Sequence, residues 1–99
     1  MINKVKEILA VRMKINDEDC YSVENCRKNL IAILSIDECI TIEILKQLNE
    51  NEILYVSEVF EEIAFNLKSS LYIKCLEKIQ KKYSHLDLAN AIETARDFI

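Results

Sequence analysis

The sequence predicts an all-α domain, and three observations predict it. Gly and Pro are both absent from the 99 residues. That removes the residues β-hairpin turns use most and the Gly that ends many helices. Apolar residues recur three and four positions apart through most of the chain, which is the spacing of one helical face. Finally, a stretch near position 18 returns 34 residues later. Glu18, Tyr21 and Glu24 have counterparts at Glu52, Tyr55 and Glu58, Ser35 at Ser69 and Glu43 at Glu77, while Ile33, Ile42 and Leu45 match Leu67, Leu76 and Ile79. A period of this size marks stacked helical hairpins of the TPR, HEAT and armadillo kind. The expected architecture is about six antiparallel helices, as a HEAT-like helical-hairpin stack or an irregular bundle, in a single domain over residues 1–99.

The first helix is expected from Ile2 to about Met13, with Val5, Ile8, Leu9 and Arg12–Met13 at amphipathic spacing. Asn16-Asp17-Glu18-Asp19 is a polar connection whose side chains can accept backbone N–H bonds at a helix start. The second helix runs from Asp19 or Ser22 to Leu34, with Val23, Cys26, Leu30, Ile33 and Leu34 as its apolar stripe. Ser35 and Glu38 have capping-box spacing, and Asp37 is a competing N-cap. The third helix spans about Glu38 to Leu48, burying Ile42, Leu45 and Leu48 with Cys39 or Ile40 above them. Its β-branched residues leave a strand as the alternative, and length and the repeat favour helix. A fourth helix is expected over Glu52 to Leu67, with Val56, Val59, Phe60, Ile63 and Leu67 inward. Ser69 or Ser70 caps a fifth, which passes through Tyr72, Cys75, Leu76 and Ile79 to Tyr83. Its lysine-rich end, Lys78, Lys81 and Lys82, suits the negative pole of a helix. Asp87 is the expected cap of a last helix carrying Leu88, Ile92, Ala95 and Phe98.

Composition narrows function by exclusion. At 51% hydrophobic and 30% charged residues, the chain reads as globular rather than disordered. Met1-Ile2-Asn3-Lys4-Val5-Lys6 returns to charge before a signal-like apolar stretch forms. No run is long enough to span a bilayer, so a cytoplasmic location without membrane association is expected. Without Gly there is no phosphate-cradling loop of the P-loop or Rossmann kind. A net charge of −4 argues against direct nucleic-acid binding and permits a basic protein partner.

Side chains able to do chemistry do not assemble into a catalytic pattern. Cys20, Cys26, Cys39 and Cys75 include no Cys-x-x-Cys and no His pair, so no zinc site is expected. Four reduced cysteines packing as small hydrophobes is the simpler reading, with Cys20 the candidate for a regulatory thiol. His85, the single histidine, falls in a turn beside Asp87. Acid pairs such as Glu61-Glu62 lack the second catalytic element that hydrolysis needs. The Asp17–Glu24 segment lacks the spacing of a calcium loop. No enzyme activity, cofactor or metal is expected.

What remains is an acidic edge. If the repeat stacks, Asp17, Glu18, Asp19, Tyr21 and Glu24 stand beside Glu50, Glu52, Tyr55 and Glu58. Tyrosines set among acids suit a partner surface, because Tyr is enriched at binding hot spots and carboxylates can mimic nucleic-acid phosphate toward a basic cleft. The plainer explanation is that acids favour helix starts for dipole reasons.

The second half carries a resemblance. Tyr55-Val56-Ser57-Glu58-Val59-Phe60-Glu61-Glu62-Ile63-Ala64 is followed by Tyr72-Ile73-Lys74-Cys75-Leu76-Glu77-Lys78-Ile79, then by Lys82-Tyr83-Ser84-His85-Leu86-Asp87-Leu88 and Ala91-Ile92-Glu93-Thr94-Ala95. From about Leu48 to Ala95 this resembles small all-helical immunity proteins of bacterial polymorphic-toxin and contact-dependent inhibition systems. Family members often carry Pro where Ser84 stands. The resemblance implies an inhibitor of a cognate toxin's C-terminal domain, a basic nuclease such as an EndoU-type RNase, acting as a monomer within a heterodimeric complex. It adds Glu61 and Glu62 to Glu58 as partner contacts, and leaves Val59, Phe60, Ile63, Leu76 and Leu88 to the core. The alternative is a HEAT-like adaptor with no toxin partner.

Overall fold

The computed structural model describes residues 2–98. It is all-α: α1 (Ile2–Lys14), α2 (Cys20–Leu34), α3 (Glu38–Gln47), α4 (Glu50–Val56), a 3-10 turn (Ser57–Val59), α5 (Phe60–Leu67), α6 (Ser70–Lys82) and α7 (Ala89–Arg96). Helices α4 and α5 join end to end through the 3-10 turn as one bent helix, which makes six helical segments among the described residues.

Side-chain caps do the work that Gly and Pro do elsewhere. Asp19 accepts from the Ser22 N–H, Asp37 from Ile40, and Ser69 from Tyr72. Asn49 forms a full capping box, accepting from the Glu52 N–H while Glu52 accepts from the Asn49 N–H, both at 2.9 Å. Each bond satisfies a donor that a helix start leaves unpaired. The fourth helix therefore begins at Glu50, two residues before the expected Glu52. At the end of α5, Lys68 takes the left-handed conformation, φ 48° and ψ 46°. It is the one non-Gly residue with positive φ among those described, and it fills the place a C-terminal Gly ordinarily holds.

Three expectations need correction. The fourth helix is bent, not continuous: Ser57 Oγ donates back to the Leu54 carbonyl and Tyr72 Oη donates to the Phe60 carbonyl. Hydroxyl back-bonding of this kind bends helices. The third helix buries Leu45 and Leu48 as expected, but Thr41 and Ile44 join them in place of Ile42. Thr41, Ile44 and Leu45 are buried, Ile42 is half-buried and Ile40 exposed, because Thr41 Oγ1 donates to the Leu34 carbonyl at 2.6 Å and anchors that side inward. Asp87 caps nothing: α7 starts after Leu88 without a side-chain cap, and the complete burial of Leu88 sets the start.

One apolar cluster runs through the fold, from Val5 and Leu9 through Leu30, Leu34, Ile53, Phe60 and Ile63 to Tyr72, Leu76, Leu88 and Ile92. The bent helix lies at its centre, touching α1, α2, α6 and α7. The α2–α3 and α5–α6 turns meet: Asn66 Nδ2 donates to Ser35 Oγ, and Ser69 Oγ donates to Glu38. Lys6 reaches Glu52 and Arg12 reaches Glu58, both 46 residues on, so α1 and the 52–58 stretch run alongside in the same sense.

Candidate functional site

The acidic residues gather where the α1–α2 turn, the start of α2 and the bent helix converge. At the centre is a residue the sequence stripe grouped with the apolar positions of α1. Arg12 is buried, with 5% of its side chain exposed. Its Nε and Nη2 donate to the two carboxylate oxygens of Glu58 at 2.9 and 2.8 Å, a bidentate fork. Its Nη1 donates to Asp17 at 3.0 Å, and the guanidinium lies 5.0 Å above the Tyr55 ring, within cation–π range. Arg27, on α2, donates to Glu58 at 3.1 Å and to Glu24 at 3.0 Å. Glu24 and Glu58, which correspond across the repeat, thus share one arginine.

The electrostatics follow from this geometry. Hydrogen bonding to Glu58 outweighs burial and holds Arg12 above its ordinary pKa. Burial works against ionisation of Glu58, but bonds from Arg12 and Arg27 prevail and keep its pKa below the ordinary value. Burial likewise opposes the charge on Arg27, and Glu58 and Glu24 more than offset it, so its pKa is raised. Three carboxylates face two guanidiniums in this cluster, leaving a single net negative charge.

The predicted site residues divide into two groups. Glu52 and Glu58 are internal structural partners: Glu52 is buried, 8% exposed, and pairs with Lys6, and Glu58 is the hub of the arginine cluster. Tyr55 is half-buried beneath Arg12. Glu50 is exposed but pairs with His85. Glu52 and Glu58, expected within the partner surface, are thus engaged in ion pairs of the fold itself. Glu18, Asp19, Glu61 and Glu62 take part in no ion pair among the described residues. Asp17 and Glu24 pair with arginine from exposed positions. Tyr21 is 84% exposed, the most exposed large hydrophobic among the described residues.

The outward-facing part of the edge runs from Asp17, Glu18, Asp19 and Tyr21 through Glu24 to Glu61 and Glu62 on α5. It ends at a notch of about 300 Å³ lined by Ile31, Glu61, Glu62, Phe65, Asn66 and Phe98. Phe65 and Phe98 meet edge to face there, centroids 5.5 Å apart. Burial, then the neighbouring Glu61, pushes the Glu62 carboxyl above the ordinary range, which Arg27 only partly relieves. The notch thus offers apolar contact beside a carboxylate that an added cation would stabilise.

Sequence reasoning missed Lys6, Arg12, Arg27 and the Phe65–Phe98 notch. An arginine inside the apolar stripe of α1 was the available signal, since a buried cation requires a carboxylate partner. Among the described residues, no group of three or more His, Cys, Asp and Glu is placed to hold a metal ion. Cys20 and Cys39 are exposed, and Cys26 and Cys75 are buried. Among the described residues, no helix is long and apolar enough to cross a membrane. Comparison with protein-family models, curated proteins and solved structures finds no match.

Proposed function

We propose that this protein is an immunity protein: it binds the C-terminal domain of a cognate bacterial toxin and neutralises it. The toxin domain would be a nuclease with a basic substrate cleft, of which an EndoU-type RNase is one example, and inhibition would proceed by occlusion in the cytoplasm. The observation that carries the reading is Tyr21, fully presented among Glu18, Asp19 and Glu24, with Glu61, Glu62 and the aromatic notch continuing the same edge. An exposed tyrosine supplies a hot-spot anchor. The carboxylates around it supply complementarity to a basic cleft and speed the encounter at low salt.

The arginine cluster supports the same reading from below. It fixes the α1–α2 turn, α2 and the bent helix to one another through Glu58, so the outward acids are held by a rigid base. Preorganisation of this kind lowers the ordering entropy lost on binding.

The deciding experiment is calorimetry of this protein against the toxin C-terminal domain encoded immediately upstream of its gene, with a nuclease assay alongside. Tight one-to-one binding that abolishes activity supports the proposal. Absence of binding at micromolar concentration removes it. Tyr21→Ala with Glu61→Lys, both at exposed positions, then locates the face: affinity should fall at least about a hundredfold, the scale of a lost hot spot, at unchanged melting temperature.

A further inference from the structure

A second surface of opposite chemistry lies between α3 and α6. A groove of about 420 Å³ has Ile42, Leu45, Leu48, Leu71, Cys75 and Ile79 as its apolar lining, Tyr83 as its one aromatic, and Lys46, Lys74, Lys78 and Lys82 at its rim. All four lysines are exposed. None forms an ion pair among the described residues. The acids borne by the same two helices do not line the groove: Glu38 bonds Ser69, Glu77 pairs with Arg96, and Glu43, one turn before Lys46, is outside the lining.

Helix-end chemistry explains only part of this. Lys81 and Lys82 lie in the last turn of α6, where the dipole favours cations. Lys74 is in the middle of the helix, and Lys46 is on a different one. Lys74, Lys78 and Lys82 follow one another at i, i+4 along one face, a spacing at which like charges repel. The folded protein therefore keeps an uncompensated row of positive charge about 12 Å long beside apolar surface that includes Leu71, 52% exposed.

We infer that this groove docks an acidic amphipathic helix of a partner protein. Apolar residues of that helix would seat on the exposed Leu71 and the half-buried Ile42, which share the groove with the buried Leu45 and Ile79, the helix-in-groove mode of recognition. Its carboxylates, one per turn, would face the lysine row in register. The spacing selects this occupant over others. A single anionic headgroup engages one or two of the four lysines and leaves the row unmatched. A nucleic-acid strand would find a single ring, Tyr83, already faced by Lys82, where stacking of successive bases needs several. This inference does not depend on the acidic edge or on the immunity reading.

The test is an NMR titration of the isotopically labelled full chain with a synthetic acidic amphipathic peptide of about four turns, with Leu on one face and Glu at i, i+4 and i+8. A scrambled peptide of equal composition, dodecanoate and a single-stranded oligonucleotide are the comparison ligands. Shift changes should centre on Ile42, Leu71, Lys74 and Lys78, and Lys74→Glu with Lys78→Glu should weaken binding at least about tenfold. Lys28→Glu, on α2 away from the groove, should leave it unchanged. Equal binding of the scrambled peptide reduces the groove to general polyanion attraction and overturns the inference. So does preference for dodecanoate or the oligonucleotide, or full binding by the double variant with native-like spectra.

Discussion

Replacing Arg12 by Met tests the arginine cluster directly. Met keeps the apolar stem that packs along α1 and removes the guanidinium. Glu58 loses its bidentate partner, and Tyr55 loses the cation above its ring. Breaking a fully buried ion pair costs about 3–5 kcal/mol. Here Glu58 has 23% of its side chain exposed and keeps a bond from Arg27, so the loss is discounted to about 2–3 kcal/mol. For a domain of this size that lowers the melting temperature by about 10–20 °C. Urea and thermal melts followed by circular dichroism at pH 7 give the number. A double-mutant cycle with Glu58→Gln should return a coupling of at least about 1.5 kcal/mol. The pH dependence supplies a second check. Because Glu58 has a folded pKa below its unfolded value, the stability it confers is present above the unfolded pKa and is lost as pH falls through the folded one. The wild-type and Arg12→Met curves should therefore converge in acid. A loss under about 0.5 kcal/mol, or additive single variants, would refute the assignment of Arg12 as the hub.

Three further outcomes follow from single side chains. Asn49→Ala removes the capping box of α4 and should cost about 1 kcal/mol in urea denaturation, with Asn49→Asp near wild type. Lys68→Gly relieves the left-handed residue at the end of α5 and should raise stability by about 1 kcal/mol, measured as a melting-temperature gain over Lys68→Ala. Glu62→Gln should stabilise at pH 7 and leave stability at pH 3 unchanged. The Glu62 carboxyl is raised by burial, so its favourable contribution is complete below the unfolded pKa and disappears as pH rises through the folded one.

Much of the fold was legible because it is local. Asp19, Asp37 and Ser69 announced helix starts, and the apolar stripes of α2 and α6 named Val23, Cys26, Leu30, Tyr72, Leu76 and Ile79 as core residues. The start of α4 was missed by two residues, although Asn49 and Glu52 have capping-box spacing. The phase of α3 was only partly legible. Isoleucines at 36, 40, 42 and 44 cover several faces, and a hydroxyl bond from Thr41 to another helix decides between them. At the site, Tyr21 and the acids at the α1–α2 turn are exposed, whereas Tyr55 is half-buried. The pairing of Glu52 and Glu58 with Lys6 and Arg12 spans 46 residues, beyond any local pattern. The lysine groove needed α3 and α6 to be placed side by side before Lys46 could join the row on α6.

The two charged surfaces have a consequence for the protein as a solute. The acidic edge belongs to the α1–α2 turn, α2 and the bent helix, and the lysine groove belongs to α3 and α6. The net charge of −4 is therefore a sum over faces of opposite sign, and it understates how strongly one molecule attracts another. At 0.01 M salt the screening length is about 30 Å, close to the 32 Å long axis of the molecule, so the groove of one copy senses the edge of the next. Solubility should accordingly rise as the first ~0.1 M of salt is added, where screening shortens to about 10 Å. A concentrated solution dialysed toward pure water should turn cloudy and clear again when salt is returned.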